Sequence, residues 1–228
     1  MSEPAPEASA QAALKFVADG QTLGLGTGRA AEAFVRALGA RVADGLQVRG
    51  VPTSERTEAL ARELGIPLTT LAEAKRLDVT FDGADEVDPA LDVIKGYGAA
   101  LVREKIVAAS SDQLVILVGA EKLVPHLGAR GRLPVEVIPF AETLAHARLA
   151  ELGCPAERRS DPSGAPVITD NGNLVLDARV SKIAEPGDLD RRILSVPGVL
   201  GTGLFVGMAD AVVIQDGEDV EVRQRRSR

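Results

Sequence analysis

The sequence predicts an α/β protein. Short apolar runs alternate with amphipathic stretches through the first two thirds of the chain, as strand and helix do around a largely parallel sheet. With 228 residues, 45% of them hydrophobic, there is enough apolar surface for one large domain or two unequal ones.

Taken in order, residues 22–26 read as a first strand. A helix follows in which Ala30, Phe34 and Leu38 share one face at four-residue spacing, with Gly39 as its stop. Residues 46–51 form a second strand. Thr57, Leu60, Ala61 and Leu64 then fall at helical spacing between an N-cap at Ser54 and a stop at Gly65. Residues 78–81 and 114–118 are short β-type runs, the first closed by Asp82-Gly83, and residues 99–109 between them carry a helix former at nearly every position.

Past the turn-rich segment 126–134 the character changes. Residues 135–140 suggest a strand, and Ala145, Leu149 and Leu152 the apolar face of a helix. Residues 154–166 read as a surface loop. Residues 167–178 form a hairpin about Asp170-Asn171-Gly172-Asn173, since Asn-Gly suits a tight hairpin turn. A helix near 188–195 and a strand at 204–206 complete a β-α-β-β-α-β block. Residues 133–202 are thus a small α+β domain set into a larger one made of 1–132 and 203–228. Strands at 212–215 and 219–223, joined through Asp216-Gly217, make a terminal hairpin.

Composition excludes several functions. There are 33 acidic and 26 basic residues, a net charge of -7, which disfavours general nucleic-acid binding; the basic tail 223–228 reads as a solvated end. One cysteine, Cys154, rules out an internal disulfide and a cysteine zinc site, and the two histidines, His126 and His146, lie too far apart in sequence to suggest a metal cluster or a Ser-His pair. The polar, acidic N-terminal residues do not look like a signal peptide, and the apolar run 114–120 is far shorter than the roughly 18 residues of a membrane span. A cytoplasmic protein with no membrane partner is expected.

Two segments carry candidate chemistry. Gly24-Leu25-Gly26-Thr27-Gly28 lies where a strand hands over to a helix, a place where backbone N–H groups and the helix dipole favour an anion. Arg29 breaks the dinucleotide spacing, so NAD is disfavoured; a phosphate turn and a bare tight turn both fit. The denser cluster is Asp82-Gly83-Ala84-Asp85-Glu86, then Lys95-Gly96-Tyr97-Gly98, then Arg103-Glu104-Lys105. Carboxylates at the C-terminal end of a strand, with a lysine and glycines near, could divide acid and base roles. A solvated acidic turn is the plain alternative. Asp85, Glu86 and Asp88 also raise a divalent metal, but they lack the pattern of a calcium-binding loop. Lys122, just past a strand, is a further candidate anion contact, with a plain surface lysine as the alternative.

In these segments, and in Leu133-Pro134-Val135-Glu136-Val137, Thr169-Asp170-Asn171-Gly172-Asn173 and Pro197-Gly198-Val199, the chain resembles ribose-5-phosphate isomerase of the A type, an aldose-ketose isomerase of the pentose phosphate pathway. The resemblance covers nearly the whole chain. It implies a Rossmann-like domain plus a small ferredoxin-like α+β domain, a homodimer or higher homo-oligomer, a sugar phosphate as ligand, and neither metal nor organic cofactor. It implies Glu104 as the base moving a proton between C1 and C2, Asp82 in ring opening, and Asp85 and Lys95 binding the sugar and stabilising charge. Gly26, Thr27, Gly28 and Lys122 are implied as phosphate contacts. Two departures stand out: Arg29-Ala30 replaces the usual Ser-Thr after the turn, and Tyr97 replaces a glycine between Gly96 and Gly98. Arg29 offers a guanidinium where hydroxyls are lost. Tyr97 either narrows the cleft or turns outward.

Overall fold

The structure, a computed structural model, describes residues 6–225. In chain order its elements are α1 (Glu7–Ala13), β1 (Thr22–Leu25), α2 (Arg29–Ala43), β2 (Arg49–Pro52), α3 (Glu55–Glu63), α4 (Leu71–Ala74), β3 (Leu77–Gly83), β4 (Glu86–Val87), β5 (Val93–Ile94) and α5 (Leu101–Ala109). There follow β6 (Ser111–Gly119), β7 (Arg132–Val137), α6 (Glu142–Glu151), β8 (Ala156–Arg158), β9 (Leu174–Arg179), α7 (Pro186–Leu194), β10 (Val199–Thr202), β11 (Leu204–Phe205), β12 (Ala211–Asp216) and β13 (Asp219–Gln224).

The chain divides into two compact units. One holds the residues up to 84, 103–122 and those from 208 on; the other holds 85–102 and 123–207. The first unit is a six-stranded sheet in the order β13-β12-β6-β3-β1-β2, parallel except for the β12–β13 hairpin at its edge. Its central strands are buried on both faces, as a parallel sheet covered by helices requires. Phe34 of α2 stacks on Phe81 of β3, ring centroids 4.0 Å apart, in a core with Leu23, Leu25, Leu38, Val115 and Val213. From β1 the chain passes to β2 on one side and returns to β3 on the other. The strand order therefore reverses between β1 and β3, the place where open α/β sheets bind ligands at their C-terminal edge.

The second unit contains an antiparallel sheet in the order β10-β7-β9-β8. With α6 after β7 and α7 after β9, this is the β-α-β-β-α-β arrangement of a ferredoxin-like domain. A three-stranded sheet, β11-β5-β4, adjoins it in the same unit. Leu133, Val135 and Val137 alternate into its core with Leu149, Leu176 and Ile193. The opposite register of β7 carries Glu136, fully buried. Its Oε1 accepts from Thr169 Oγ1 (3.0 Å), Asn171 Nδ2 (3.0 Å) and Asn173 Nδ2 (2.9 Å), so one carboxylate oxygen fastens the Asn-Gly turn.

Several elements depart from the sequence reading. Helix α2 runs through Gly39 to Ala43; Gly39 is a packing site, where a Cβ would come 2.8 Å from the side chain of Leu64. The helix ends instead beside Gly45, at φ 104°. The stretch 154–166 is not all loop, because β8 pairs with β9. Ahead of the Asn-Gly turn only an isolated bridge, Ile168 to Leu174, stands where a full hairpin arm was expected. The last strand of the ferredoxin-like block is β10, and residues 204–205 pair with β5 instead. The second unit accordingly takes in more chain than 133–202: Ile94, Leu127 and Leu204 all lie in its core. The end of the basic tail, 226–228, lies outside the described residues, while Arg223 sits on β13 and pairs with Glu221 (2.8 Å).

Candidate active site

In the first unit the glycine turn and Asp82 are built against each other. The register pairs Leu25 with Phe81, so Gly26 and Asp82 emerge side by side at the strand-order reversal. Gly26 N–H donates to the Phe81 carbonyl (2.9 Å), and a Cβ on Gly26 would fall against the Asp82 carboxylate and 2.5 Å from that carbonyl oxygen. Only glycine fits. Asp82, 1% exposed, accepts on Oδ1 from the backbone N–H groups of Thr27 (3.1 Å) and Gly83 (2.8 Å). Two amide donors thus fix the orientation of this carboxylate oxygen.

Thr27 is anchored by hydroxyls. Its Oγ1 lies 2.8 Å from that of Thr53, 2.7 Å from Ser54 Oγ and 3.2 Å from Thr57 Oγ1, and Thr57 Oγ1 donates in turn to the Gly26 carbonyl (2.9 Å). Ser54 also caps α3, accepting from Thr57 N–H (3.1 Å), as its position before the helix predicts. Gly28, at φ 107°, is the N-cap of α2, so the first-turn amides of this 15-residue helix, from Arg29 onward, point past the turn. Arg29 is exposed there, and Lys122 is partly buried in the 3-10 turn after β6.

Glu104 lies in the first turn of α5 and is 4% exposed. Val107, one turn further along the same helix face, packs over Gly24 of β1, where a Cβ would come 2.7 Å from its methyl. That contact fixes the height of α5 on the sheet. Glu104 precedes Val107 by three residues, about one helical turn, on that face.

In the second unit Lys95, 2% exposed, follows β5 with its Nζ 5.6 Å from the centroid of the Phe205 ring. Its backbone N–H donates to Gly203 (2.9 Å). Gly96 has φ 100° and a Cβ there would press on Leu101 and Pro134, so this glycine is required by the backbone; Gly98 is not, having open space around it. Asp85 Oδ2 accepts from Tyr97 N–H (3.0 Å). The Tyr97 ring packs into the core of this unit with the Arg132 guanidinium 4.1 Å above it, and its hydroxyl faces the Arg132 carbonyl (3.4 Å). Burial, then the charges of Asp85 and Glu86, push the phenol up to about 12.

Two of the three acids raised for a metal bind backbone amides. Glu86 accepts from the backbone N–H groups of Gly128 (2.7 Å) and Arg130 (2.7 Å), and Asp88 Oδ1 from those of Ala90 (2.9 Å) and Asp92 (2.9 Å). Sequence reasoning missed Arg159, which donates to the Gly96 and Tyr97 carbonyls, and Asp177, which holds Arg159. It also read Ser54 only as a cap, and it did not single out the hydroxyls of Thr53 and Thr57. The signal for the hydroxyls was present in Pro52-Thr53-Ser54 at the end of the second strand, since the ends of neighbouring parallel strands converge.

A parallel sheet that presents a glycine turn and a buried carboxylate at its strand-order reversal, on a chain that also buries a lysine and a second carboxylate, defines an α/β enzyme of acid-base chemistry on a small anionic ligand. The ribose 5-phosphate isomerase A (phosphoriboisomerase A) family model matches residues 49–219. The ribose-5-phosphate isomerase A of Roseiflexus castenholzii is 52% identical over 208 residues, 90% of this chain and 89% of that one. Among solved structures, the ribose 5-phosphate isomerase A of Methanocaldococcus jannaschii is 40% identical with a TM-score of 0.92, over 96% of this chain and 97% of that one. A D-ribose-5-phosphate isomerase in complex with phospho-erythronic acid is 39% identical with a TM-score of 0.93, over 96% and 97%. The chain belongs to the ribose 5-phosphate isomerase A family. It is an isomerase that interconverts D-ribose 5-phosphate and D-ribulose 5-phosphate through a cis-enediol(ate), a step of the non-oxidative pentose phosphate pathway.

Proposed function

We propose that Glu104 is the base of this isomerisation. With the sugar open, the Glu104 carboxylate takes the proton from C2; the C–H electrons form the C1=C2 bond and the carbonyl electrons pass to O1. A proton then passes from O2 to O1, shifting the enediolate charge to O2; as the O2 electrons form the C2 carbonyl, the C1=C2 electrons take the proton back from Glu104 at C1, leaving a hydroxyl on C1. The single observation that supports this reading is a carboxylate buried to 4% exposure in the first turn of α5, three residues before the Val107 contact on Gly24 of β1. A proton next to a carbonyl is removable only where the enediolate is stabilised. Lys95 supplies the positive charge, and Asp85 binds a sugar hydroxyl. Asp82, its Oδ1 oriented by two amides, takes the proton from the O1 hydroxyl as the C1–O4 bond breaks and passes it to O4.

The phosphate belongs at the turn 26–28 and the first amides of α2, with Arg29 and Lys122 as its cations. Thr27 supports the turn through its hydroxyl network. Phospho-erythronic acid, bound by the 39% identical relative, pairs a phosphate with a carboxylate whose two oxygens share charge as those of an enediolate do; this supports the same ligand class here. The protein works in the cytoplasm, supported by its single, buried cysteine. It works as a homodimer, supported by Phe140, 99% exposed, with Ile138 and Leu144 beside it in sequence at 36% and 40%.

The test is conversion of ribose 5-phosphate to ribulose 5-phosphate by purified protein in the presence of a chelator. The wild type turns over. Glu104→Gln loses about 10²- to 10⁴-fold in kcat, and Arg29→Ala raises KM while sparing kcat. A Glu104→Gln variant of undiminished rate would sink the assignment.

A further inference from the structure

We propose that Arg159 is a positioning residue for the isomerisation, orienting the segment 95–98 from the neighbouring sheet. The inference rests on the reading of Lys95 and Asp85 given above. Arg159 follows β8, and its side chain is 9% exposed. One edge grips Asp177 of β9 in two places, Nε to Oδ2 (2.9 Å) and Nη2 to Oδ1 (2.5 Å). The remaining nitrogen, Nη1, donates to two consecutive carbonyls, Gly96 O (2.9 Å) and Tyr97 O (3.0 Å).

The Gly96 carbonyl and the Tyr97 N–H belong to one planar peptide. Arg159 holds its oxygen, and Asp85 Oδ2 accepts from its N–H (3.0 Å). Rotation of that peptide therefore moves the Asp85 carboxylate at one end and the backbone leading back to Lys95 at the other. Gly96, at φ 100°, has no side chain to resist such rotation; a local turn bond from Ala99 N–H (3.0 Å) holds the same carbonyl, and Arg159 adds the constraint from outside the segment. Arg132 adds to it, pairing with Asp177 (3.1 Å) and covering the Tyr97 ring. A planar fork with five donors can serve a carboxylate and two carbonyls at once; an ammonium cannot.

The experiment compares Arg159→Met, Arg159→Lys and Asp177→Asn with Lys95→Met in steady-state isomerisation of ribose 5-phosphate, with thermal unfolding of each. Arg159→Met is expected to lose about 10- to 100-fold in kcat with KM unchanged within about threefold, since the phosphate is held elsewhere. Arg159→Lys recovers part of the loss. Wild-type kcat in Arg159→Met, with Lys95→Met inactive, overturns the proposal and leaves the site reading standing. Full activity in Lys95→Met overturns both. Should Arg159→Met not fold, Asp177→Asn, which keeps the shape of its partner, decides: a fall in kcat at constant KM supports the proposal and an unchanged kcat refutes it.

Discussion

The two glycine-bearing turns of this chain, 24–28 and 95–98, are fixed by opposite means. The first is held by closeness: Gly26 touches Asp82 and Phe81 so tightly that no side chain fits, Asp82 takes the adjoining Thr27 N–H, and hydroxyls surround the Thr27 side chain. The second is held by charge at a distance along the chain: Arg159 is over 60 residues away from the carbonyls it grips. A turn that abuts its own sheet can be specified by local glycines. A turn that leaves a strand of only two residues needs an outside clamp.

That difference can be broken at several points. The largest effect is expected for Gly26→Ala, whose Cβ must displace the Asp82 carboxylate or the Phe81 backbone. Stability should fall by about 1–3 kcal/mol in chemical denaturation, and kcat should fall about tenfold or more with it. Gly98→Ala sharpens the contrast, because nothing crowds that position: its unfolding midpoint should match wild type. Ser54→Ala removes both the cap of α3 and one hydroxyl from Thr27, and should cost about 1 kcal/mol in the same experiment.

The smallest effect at neutral pH, and the cleanest to read, concerns Tyr97. Its phenolate absorbance should rise with a midpoint of about 12 in the folded protein, against about 10 in denaturant. Because the folded phenol keeps its proton longer, the unfolded chain binds fewer protons between those values, and stability falls as pH rises through that window. Below pH 10 the contribution is fully present. A folded-state midpoint near 10 would show that the ring is not buried under Arg132 as described.

The same contrast explains what the sequence disclosed. The strands and helices of the parallel sheet were legible, because their apolar periodicity and the glycine turn are local signals; so was the cap at Ser54. Gly39 misled, since a helix glycine that admits Leu64 looks like a helix stop until the neighbouring helix is in place. β8 was missed because Ala156-Glu157-Arg158 carries no apolar alternation and gains its pairing from β9. The candidate residues Asp82, Asp85, Lys95 and Glu104 stood out as charges among glycines. Their supports did not: Arg159 and Asp177 are ordinary surface residue types, and only antiparallel pairing of β8 with β9 brings them together.

The most direct test of the central claim follows the proton itself. Ribose 5-phosphate carrying deuterium at C2 is given to the wild type and to Glu104→Gln in ordinary water, and the fate of the label is read by NMR. The wild type should move the deuterium to C1 or release it to solvent, with a primary isotope effect on turnover, while Glu104→Gln leaves it at C2. Label lost from C2 at the wild-type rate in Glu104→Gln would contradict the account, and another base would have to be sought among the carboxylates of the chain.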